Sequence, residues 1–368
     1  MRFTIQREAI LKPLQQIIGV VERRQTLPVL SNVLLSAKSK KNISLTATDL
    51  EVELTAQVDT PIGNVGESTL PARKFMDICR ALPEESSLEI SVEQDRATIR
   101  SGKSRFSLTT LAATEFPVLD DIHVVYDLKL PQNTLKMLIE HTYFAMAQQD
   151  VRYYLNGLMI ELARGILRAV ATDGHRLALC EVDADVTLED VPQQIIIPRK
   201  GIQELLRTLG DTEALAQLQI GSNHIRVLLP EIQFTSKLID GRFPDYQKVL
   251  PNGGDKVVTV DRDALRQALT RASILSNEKY RGVRLHIEPG LLQIQAHNPE
   301  HEEAEEEVQA EYQGEPLDIG FNASYLMDAL AAIPSPMVQA IFTDSNSSCL
   351  IQGTQAERSQ YVVMPMRL

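Results

Sequence analysis

The chain repeats itself, and the repeat limits what it can fold into more than any other feature. Residues 43–54, ISLTATDLEVEL, lie over residues 167–178 of the stretch LRAVATDGHRLAL at a constant offset of 124, with Thr48-Asp49 over Thr172-Asp173. Each copy alternates apolar and polar residues, breaks at a polar turn and resumes an apolar run, the pattern of a strand, a tight turn and a second strand. A fainter third copy, LQIQAHN, runs from Leu292 to Asn298 and is followed by Pro299. A second set of positions recurs at 127: Phe75, Ile78, Cys79 and Leu82 return as Ile202, Leu205, Leu206 and Leu209, and Phe116-Pro117 returns as Phe243-Pro244. A period of roughly 120 residues restricts the chain to serial use of one supersecondary recipe.

In chain order, residues 2–5 read as a strand, and Ile10, Leu11, Leu14, Ile17, Ile18 and Val21 give a helix one apolar face, with Pro13 imposing a kink or a late start. Strands are expected over 29–37 and within 43–54, then a helix carrying Phe75 to Leu82, then strands at 88–92, 97–100 and 105–109. Near residue 120 the recipe restarts: a strand at 125–130, a helix over 131–145, strands at 158–162 and 167–170, a strand at 195–198 and a helix carrying Ile202 to Leu209. A third round has a strand at 256–260, a helix over 261–272, strands at 283–287 and 291–296, a helix over 324–332 and a last strand at 361–364. Strand, helix and several strands thus occur about six times, the pattern of helices segregated on one side of antiparallel sheet in an α+β fold.

A chain of 368 residues exceeds the usual reach of one hydrophobic core. The formal net charge of −12 argues against a uniformly nucleic-acid-binding surface, because an acidic surface repels phosphates. The cations are nevertheless concentrated on helices and adjoining loops: Arg7, Lys12, Arg23, Arg24, Arg73, Lys74, Arg80, Lys136, Arg199, Lys200, Arg207, Arg266 and Arg271. Acid gathers elsewhere, in EHEEAEEE at 300–307 and in 181–190. A basic helical face in an acidic protein is consistent with phosphate contact through one surface, and equally with solvated helices supported by local ion pairs. No base-reading element stands out, so any nucleic-acid contact is expected to position rather than to specify.

Catalysis and metal binding find little support. Asp173 and His175 pair an acid with an imidazole, but no nucleophile stands at a spacing that completes a triad. Asp49 and Asp173 are read instead as turn acceptors for local amides. His297 and His301 lie near Glu302 and Glu303 without a zinc-helix spacing, so no metal and no cofactor is expected. Cys79, Cys180 and Cys349 lack a CxxC spacing and read as buried thiols of a reducing compartment. No apolar run approaches the length of a membrane span, which points to a cytoplasmic location with no membrane partner.

Across essentially all 368 residues the chain resembles the bacterial DNA polymerase III beta subunit family, the sliding clamps, and most of all its gamma-proteobacterial members. The resemblance is carried in order by LKPLQ, RRQTLPVLSNVLL, LTATDLEVEL, PARK, AMAQQDVRYYLNG, ATDGHRLAL, IPRKG, FPDY, ILSNEKYRG, NPEHEEAEEE, TDSNSS and YVVMPMRL. It implies three similar DNA-clamp domains, at 1–122, 123–252 and 253–368, each a duplicated β-α-β-β-β motif, with helices lining a ring and antiparallel sheets outside. It also implies a noncatalytic processivity factor that encircles duplex DNA, without sequence specificity, as a head-to-tail homodimer. Partners implied are the replicative polymerase alpha subunit, the clamp loader delta subunit, translesion polymerases and mismatch-repair proteins, all through short clamp-binding motifs.

The residues matched to DNA contact are Arg24, Arg73, Gln149, Tyr153, Tyr154, Arg199 and Lys200; Lys12 and Arg80 follow from the basic-face reading, and Arg152 fits either contact. Those matched to a partner-peptide groove are Leu155, Thr172, Gly174, His175, Arg176, Leu177, Pro244, Val249, Ser348, Val362, Met364, Pro365 and Met366, with Arg367 at its edge. Leu177, Val249, Val362 and Met364 are expected to anchor apolar side chains, and His175 and Arg176 to orient the peptide or pack the rim. The dimer contact is expected to set Ile78, Phe106 and Leu108 against Ile274 and Leu275, with Lys74, Arg96, Lys103 and Arg105 facing Glu300, Glu303, Glu305 and Glu306.

Overall fold

Every α-helix among the described residues is entered directly from a strand. The computed structural model describes residues 1–21, 27–119, 121–186, 192–251, 253–355 and 358–367. Strand Arg2–Gln6 leads into α1 (Arg7–Ile17), Gly66–Pro71 into α2 (Ala72–Ala81), Tyr126–Pro131 into α3 (Gln132–Glu140), Gln193–Pro198 into α4 (Arg199–Thr208), Lys256–Asp261 into α5 (Arg262–Ala272) and Leu317–Asn322 into α6 (Ala323–Ala332). At three of these junctions the last strand residue is a proline, whose fixed φ suits a helix entry and whose missing N–H leaves no donor unsatisfied there. The third round uses polar caps instead: Asp261 accepts from the Ala264 amide at 2.8 Å, and Asn322 accepts from the Ser324 amide at 2.9 Å.

Two sequence expectations are corrected and a third is narrowed. Residues 28–31 form a 3-10 turn, Pro28–Ser31, and the strand begins only at Asn32. The helix expected over 131–145 stops at Glu140; the Thr142 hydroxyl donates back to the Leu138 carbonyl at 2.8 Å, and a short 3-10 turn, Tyr143–Ala145, follows. Of the two effects expected of Pro13, the late start does not occur: α1 begins at Arg7, runs through Pro13 and buries Ile10, Leu11, Leu14 and Ile17.

The chain packs as two units, Met1–Leu135 with Lys200–Leu238, and Lys136–Arg199 with Ile239–Leu368. The first holds a five-stranded sheet and an eight-stranded sheet, the second a twelve-stranded sheet. In the first unit the strand Val52–Asp59 pairs antiparallel with Ile232–Lys237; in the second, Arg176–Asp183 pairs antiparallel with Ser359–Val363. These pairings repeat one another at the sequence offsets of 124 and 127. Strand pairing, rather than side-chain packing alone, therefore fuses part of the middle repeat to its neighbour within each unit.

The apolar helix faces and the inner strand positions form the cores, with Leu35, Leu45 and Leu54 fully buried in one unit and Met159, Val170 and Ala178 in the other. Burying one such aliphatic side chain contributes roughly 1.5–3 kcal/mol. All three cysteines are buried free thiols, and burial pushes Cys79 up to about 12 and Cys349 higher still. No helix among the described residues is long and apolar enough to cross a membrane.

Candidate functional site

The repeated Thr-Asp turn is built the same way in both units. In the first, the Asp49 carboxylate accepts from the amides of Glu51 and Val52 at 2.9 and 2.7 Å, and the Thr48 hydroxyl donates to the Val52 carbonyl at 3.0 Å. In the second, Asp173 accepts from His175 and Arg176 at 2.9 and 3.0 Å, and Thr172 donates to the Arg176 carbonyl at 2.6 Å. Both turns need one left-handed residue, and it is Leu50 (φ 79°) in the first copy and Gly174 (φ 88°) in the second. Because leucine holds that conformation in the first copy, the glycine of the second has a further cause. A Cβ on Gly174 would lie 2.9 and 3.0 Å from the guanidinium nitrogens of Arg152, which donates to the Asp173 carbonyl at 3.3 Å. Arg152 is held there by Asp150, at 3.0 and 2.9 Å, and these bonds keep the Asp150 carboxyl down at about 2.

Beside the second turn lie many of the residues that the sequence matches to a partner-peptide groove. One register row crosses four strands, Thr172 opposite Leu177, Leu177 opposite Val362, and Val362 opposite Leu350. Leu155, Leu177 and Val362 are buried in one cluster with Met159, Val170, Leu179, Phe243 and Tyr246, so they form a floor rather than freestanding anchors. The exposed apolar atoms belong to Val249 and Met364, 41% and 46% accessible. Met364 is set beside the turn by its amide, which donates to the His175 carbonyl at 2.9 Å, and the Met366 amide donates to the Gly320 carbonyl at 2.8 Å. Gly174, His175 and Pro244 are exposed, and Thr172, Ser348, Pro365 and Met366 half-buried, around this floor.

Arg176 proves to be a fastening. Its guanidinium bonds Asp173 (3.1 Å), Asp328 of α6 (2.5 Å) and the Phe144 carbonyl (2.7 Å), and it lies 4.5 Å from the Tyr325 ring centroid and 5.5 Å from that of Phe144. Of the two roles the sequence left open for it, rim packing fits this geometry. Sequence reasoning missed Phe144, Tyr325 and Asp328, which no motif connects to the turn.

Most of the described cations already have partners within the chain. Arg24, with Arg23, lies outside the described residues. Arg73 is exposed and donates to the Val21 carbonyl at 2.8 Å, Lys200 is ion-paired to the turn residue Asp49, and Arg199 donates to the Met146 carbonyl at 2.9 Å. Gln149 adopts a left-handed φ of 57°, followed by Tyr153, which is exposed, and Tyr154, half-buried edge-on to it at 5.8 Å between ring centroids. The basic-face reading needs correcting at Arg7, whose largely buried side chain is spent on the carbonyls of Cys79 and Arg80. Lys12, Lys136, Arg207 and Arg271 also have carboxylate partners within their own units.

Of the residues matched to a dimer contact, Lys74, Arg96, Lys103 and Arg105 are exposed, and Ile78, Phe106 and Leu108 half-buried. Strand Ser104–Thr109 is a sheet edge in the first unit. In the second, Ile274 is exposed and Leu275 half-buried, Glu300, Glu303 and Glu305 are exposed, and Glu306 is bonded to Arg271 of its own chain at 2.5 Å. Strand Glu303–Glu311 pairs fully with Leu291–His297 but meets Lys256–Asp261 only at Thr259 and Val260, which leaves its acidic start unpaired on that side. Among the described residues no three His, Cys, Asp or Glu side chains converge as a metal site.

Comparison with known proteins covers the chain end to end. Residues 1–120, 129–245 and 247–367 match the models of the N-terminal, central and C-terminal domains of the DNA polymerase III beta subunit. The beta sliding clamp of Pseudomonas putida is 55% identical over 370 residues, and that of Escherichia coli strain K12 is 50% identical over 369, each alignment spanning 100% of both chains. Among solved structures, the DNA polymerase III subunit beta of Pseudomonas aeruginosa superposes with a TM-score of 0.97 at 55% identity, covering 100% of both chains. The Pseudomonas aeruginosa sliding clamp bound to griselimycin gives the same TM-score, identity and coverage.

Proposed function

The chain belongs to the DNA polymerase III beta subunit family, the beta sliding clamps, and from that premise we propose which of its residues carry the work of a clamp. It is a DNA sliding clamp, a noncatalytic processivity factor of replication. Its domains are assigned to 1–122, 123–252 and 253–368. Two copies join head to tail around duplex DNA, the Ser104–Thr109 edge with Ile78, Phe106 and Leu108 of one chain meeting Ile274, Leu275 and the acidic start of Glu303–Glu311 of the other. Lys74, Arg96, Lys103 and Arg105 then oppose Glu300, Glu303, Glu305 and Glu306. Such exposed pairs add little affinity but exclude like-charged alignments.

Arg24, Arg73, Gln149, Tyr153, Tyr154, Arg199 and Lys200 meet the DNA. Phosphate contacts that read no base leave the ring free to move, and their strength falls with salt through counterion release. Retention comes from closure and not from tight binding.

The groove over Leu177 and Val362 receives the short motifs of the replicative polymerase alpha subunit, the clamp loader delta subunit, translesion polymerases and mismatch-repair proteins in a cytoplasmic setting. The observation that carries this reading is the buried apolar row Leu177, Val362 and Leu350, continued by the half-buried Thr172 and flanked by the exposed side chains of Val249 and Met364. Pockets of that kind, apolar with a few convergent polar groups, suit peptide side chains, and methionine adapts to varied ones.

The test of the whole is topological. Covalent closure of both dimer contacts by paired cysteines is expected to hold the protein on nicked circular DNA in high salt and to release it when the circle is cut. Escape from circles at the rate seen for linear DNA would overturn the assignment.

A further inference from the structure

We infer that Tyr246 is a positioning residue for the peptide groove: clamped by Glu161 and Arg168, it holds segment 243–251 over the sheet so that Val249 stands as a preformed wall beside the Leu177 and Val362 floor. The inference rests on the groove reading above and deepens it.

The segment crosses the face of the twelve-stranded sheet. Phe243 and Tyr246 are both 4% accessible, packed into the floor cluster. The Tyr246 hydroxyl donates to a Glu161 carboxylate oxygen at 2.8 Å and accepts from the Arg168 guanidinium at 2.7 Å. Glu161 is buried, with further bonds from Arg168 and from the Gln194 side-chain amide at 2.7 Å, and Arg168 donates twice to Glu181, at 3.0 and 2.7 Å. Bonds this numerous around the buried Glu161 carboxylate and Tyr246 hydroxyl fix both in place. The anchor reaches the groove through the main chain, since the Tyr246 carbonyl accepts from the amides of both Val249 (3.0 Å) and Leu250 (3.3 Å).

The first copy of the repeat shows what the anchor avoids. At the offset of 127, Tyr246 corresponds to Leu119, and at the offset of 124, the floor residue Leu177 corresponds to Glu53. In that copy the buried Glu53 carboxylate accepts from the Leu119 amide at 3.0 Å, so the crossing segment is tied down directly onto the position that forms the floor in the other unit. By strand register Ser36 and Ser44 stand where the second copy has Glu161 and Arg168; the Ser44 hydroxyl donates to the Ser36 carbonyl at 3.3 Å and the Ser36 hydroxyl to the Glu67 carboxylate of the neighbouring strand. Both copies therefore fasten the same segment. The first does so through the floor, with a carboxylate; the second moves the fastening along the sheet to Arg168 and Glu161, so that the equivalent floor position is free to be the apolar Leu177. None of the three anchoring residues lies in the apolar row that floors the groove.

The experiment uses the full-length dimer and a fluorescein-labelled peptide spanning the clamp-binding motif of the replicative polymerase alpha subunit, followed by stopped-flow anisotropy. If the wall is preformed, Tyr246→Phe lowers the fraction of molecules with a competent groove, and apparent affinity falls in proportion to that fraction. The expected result is a loss of about five- to tenfold, taken mainly in the association rate, with Glu161→Gln weakening binding in the same way. Ile287→Val, a core change on a strand remote from the segment, controls for stability and is expected to lower Tm while leaving peptide kinetics unchanged. Met364→Ala tests the groove itself. Weakening by Met364→Ala with wild-type kinetics in both Tyr246→Phe and Glu161→Gln overturns the inference and spares the groove. Weakening by Ile287→Val as large as that by Tyr246→Phe, at equal loss of Tm, also overturns it. Unchanged binding in all the variants overturns both readings.

Discussion

Arg176→Ala should destabilise the second unit more than any other single truncation at the turn. The change removes hydrogen bonds to Asp173, Asp328 and the Phe144 carbonyl and the stacking on Tyr325. Breaking a buried ion pair from one side typically costs about 3–5 kcal/mol. Here the Asp328 side chain is 46% accessible and can rehydrate, whereas Asp173, at 16%, cannot do so fully. The expected cost is therefore discounted to about 2–4 kcal/mol. Urea denaturation followed by circular dichroism measures it, since the chain has no tryptophan to report by fluorescence. A double-mutant cycle with Asp328→Ala should return a coupling of about 1–2 kcal/mol, because residues that share a network are not additive. Arg176→Lys should recover less than half of the loss, for an ammonium cannot reproduce three divergent planar donors and two ring contacts. A loss below about 1 kcal/mol, or full recovery by lysine, would show that Arg176 is not the fastening between the turn and α6.

Two further predictions concern the repeated turns and the buried acids. Gly174→Ala meets both a left-handed backbone and the Arg152 guanidinium; the flexible arginine can move aside, so the cost is about 1–2 kcal/mol, read from Tm, and a stabilised variant would refute the reading. Glu53 has its carboxyl raised by burial, partly offset by the Leu119 amide and the nearby Arg226 charge. A folded pKa above the unfolded one means that stability is present below the unfolded value of 4.5 and lost as pH rises through the raised folded value. Glu53→Gln should remove that loss, so its Tm relative to wild type should climb with pH across this window and then level off; a gap that narrows with rising pH would sink the argument.

Periodicity made the turns legible. Two strands that break at Thr-Asp leave amides to be satisfied, and the carboxylates of Asp49 and Asp173 accept them as the sequence implied. The helix faces were readable for the same reason, since apolar spacing reports burial directly. Partner choice was not. Arg7 carries the same charge as the other helix cations, yet it is turned inward onto two carbonyls, a choice fixed by where α2 ends and not by any local pattern. Tyr246, Glu161 and Arg168 are separated by 78 and 85 residues along the chain and meet only because one segment crosses a sheet. The sole signal was the difference between FPVL and FPDY at equivalent positions, which marks a change without saying what it touches. The 3-10 turns at Pro28–Ser31 and Tyr143–Ala145 escaped because their apolar residues fit a strand or a helix equally well.

The antiparallel pairing of Arg176–Asp183 with Ser359–Val363 bears on how far the chain can be shortened. A fragment ending near residue 250 keeps the groove turn and its hairpin but strips the neighbouring strand, baring a row of amides and carbonyls next to Leu177 and Leu179. An uncovered edge with an apolar face invites addition of strands from other molecules. Such a fragment should assemble into β-rich aggregates as its concentration rises, and proteases that remove the last strand should leave an insoluble remnant in place of a smaller folded domain.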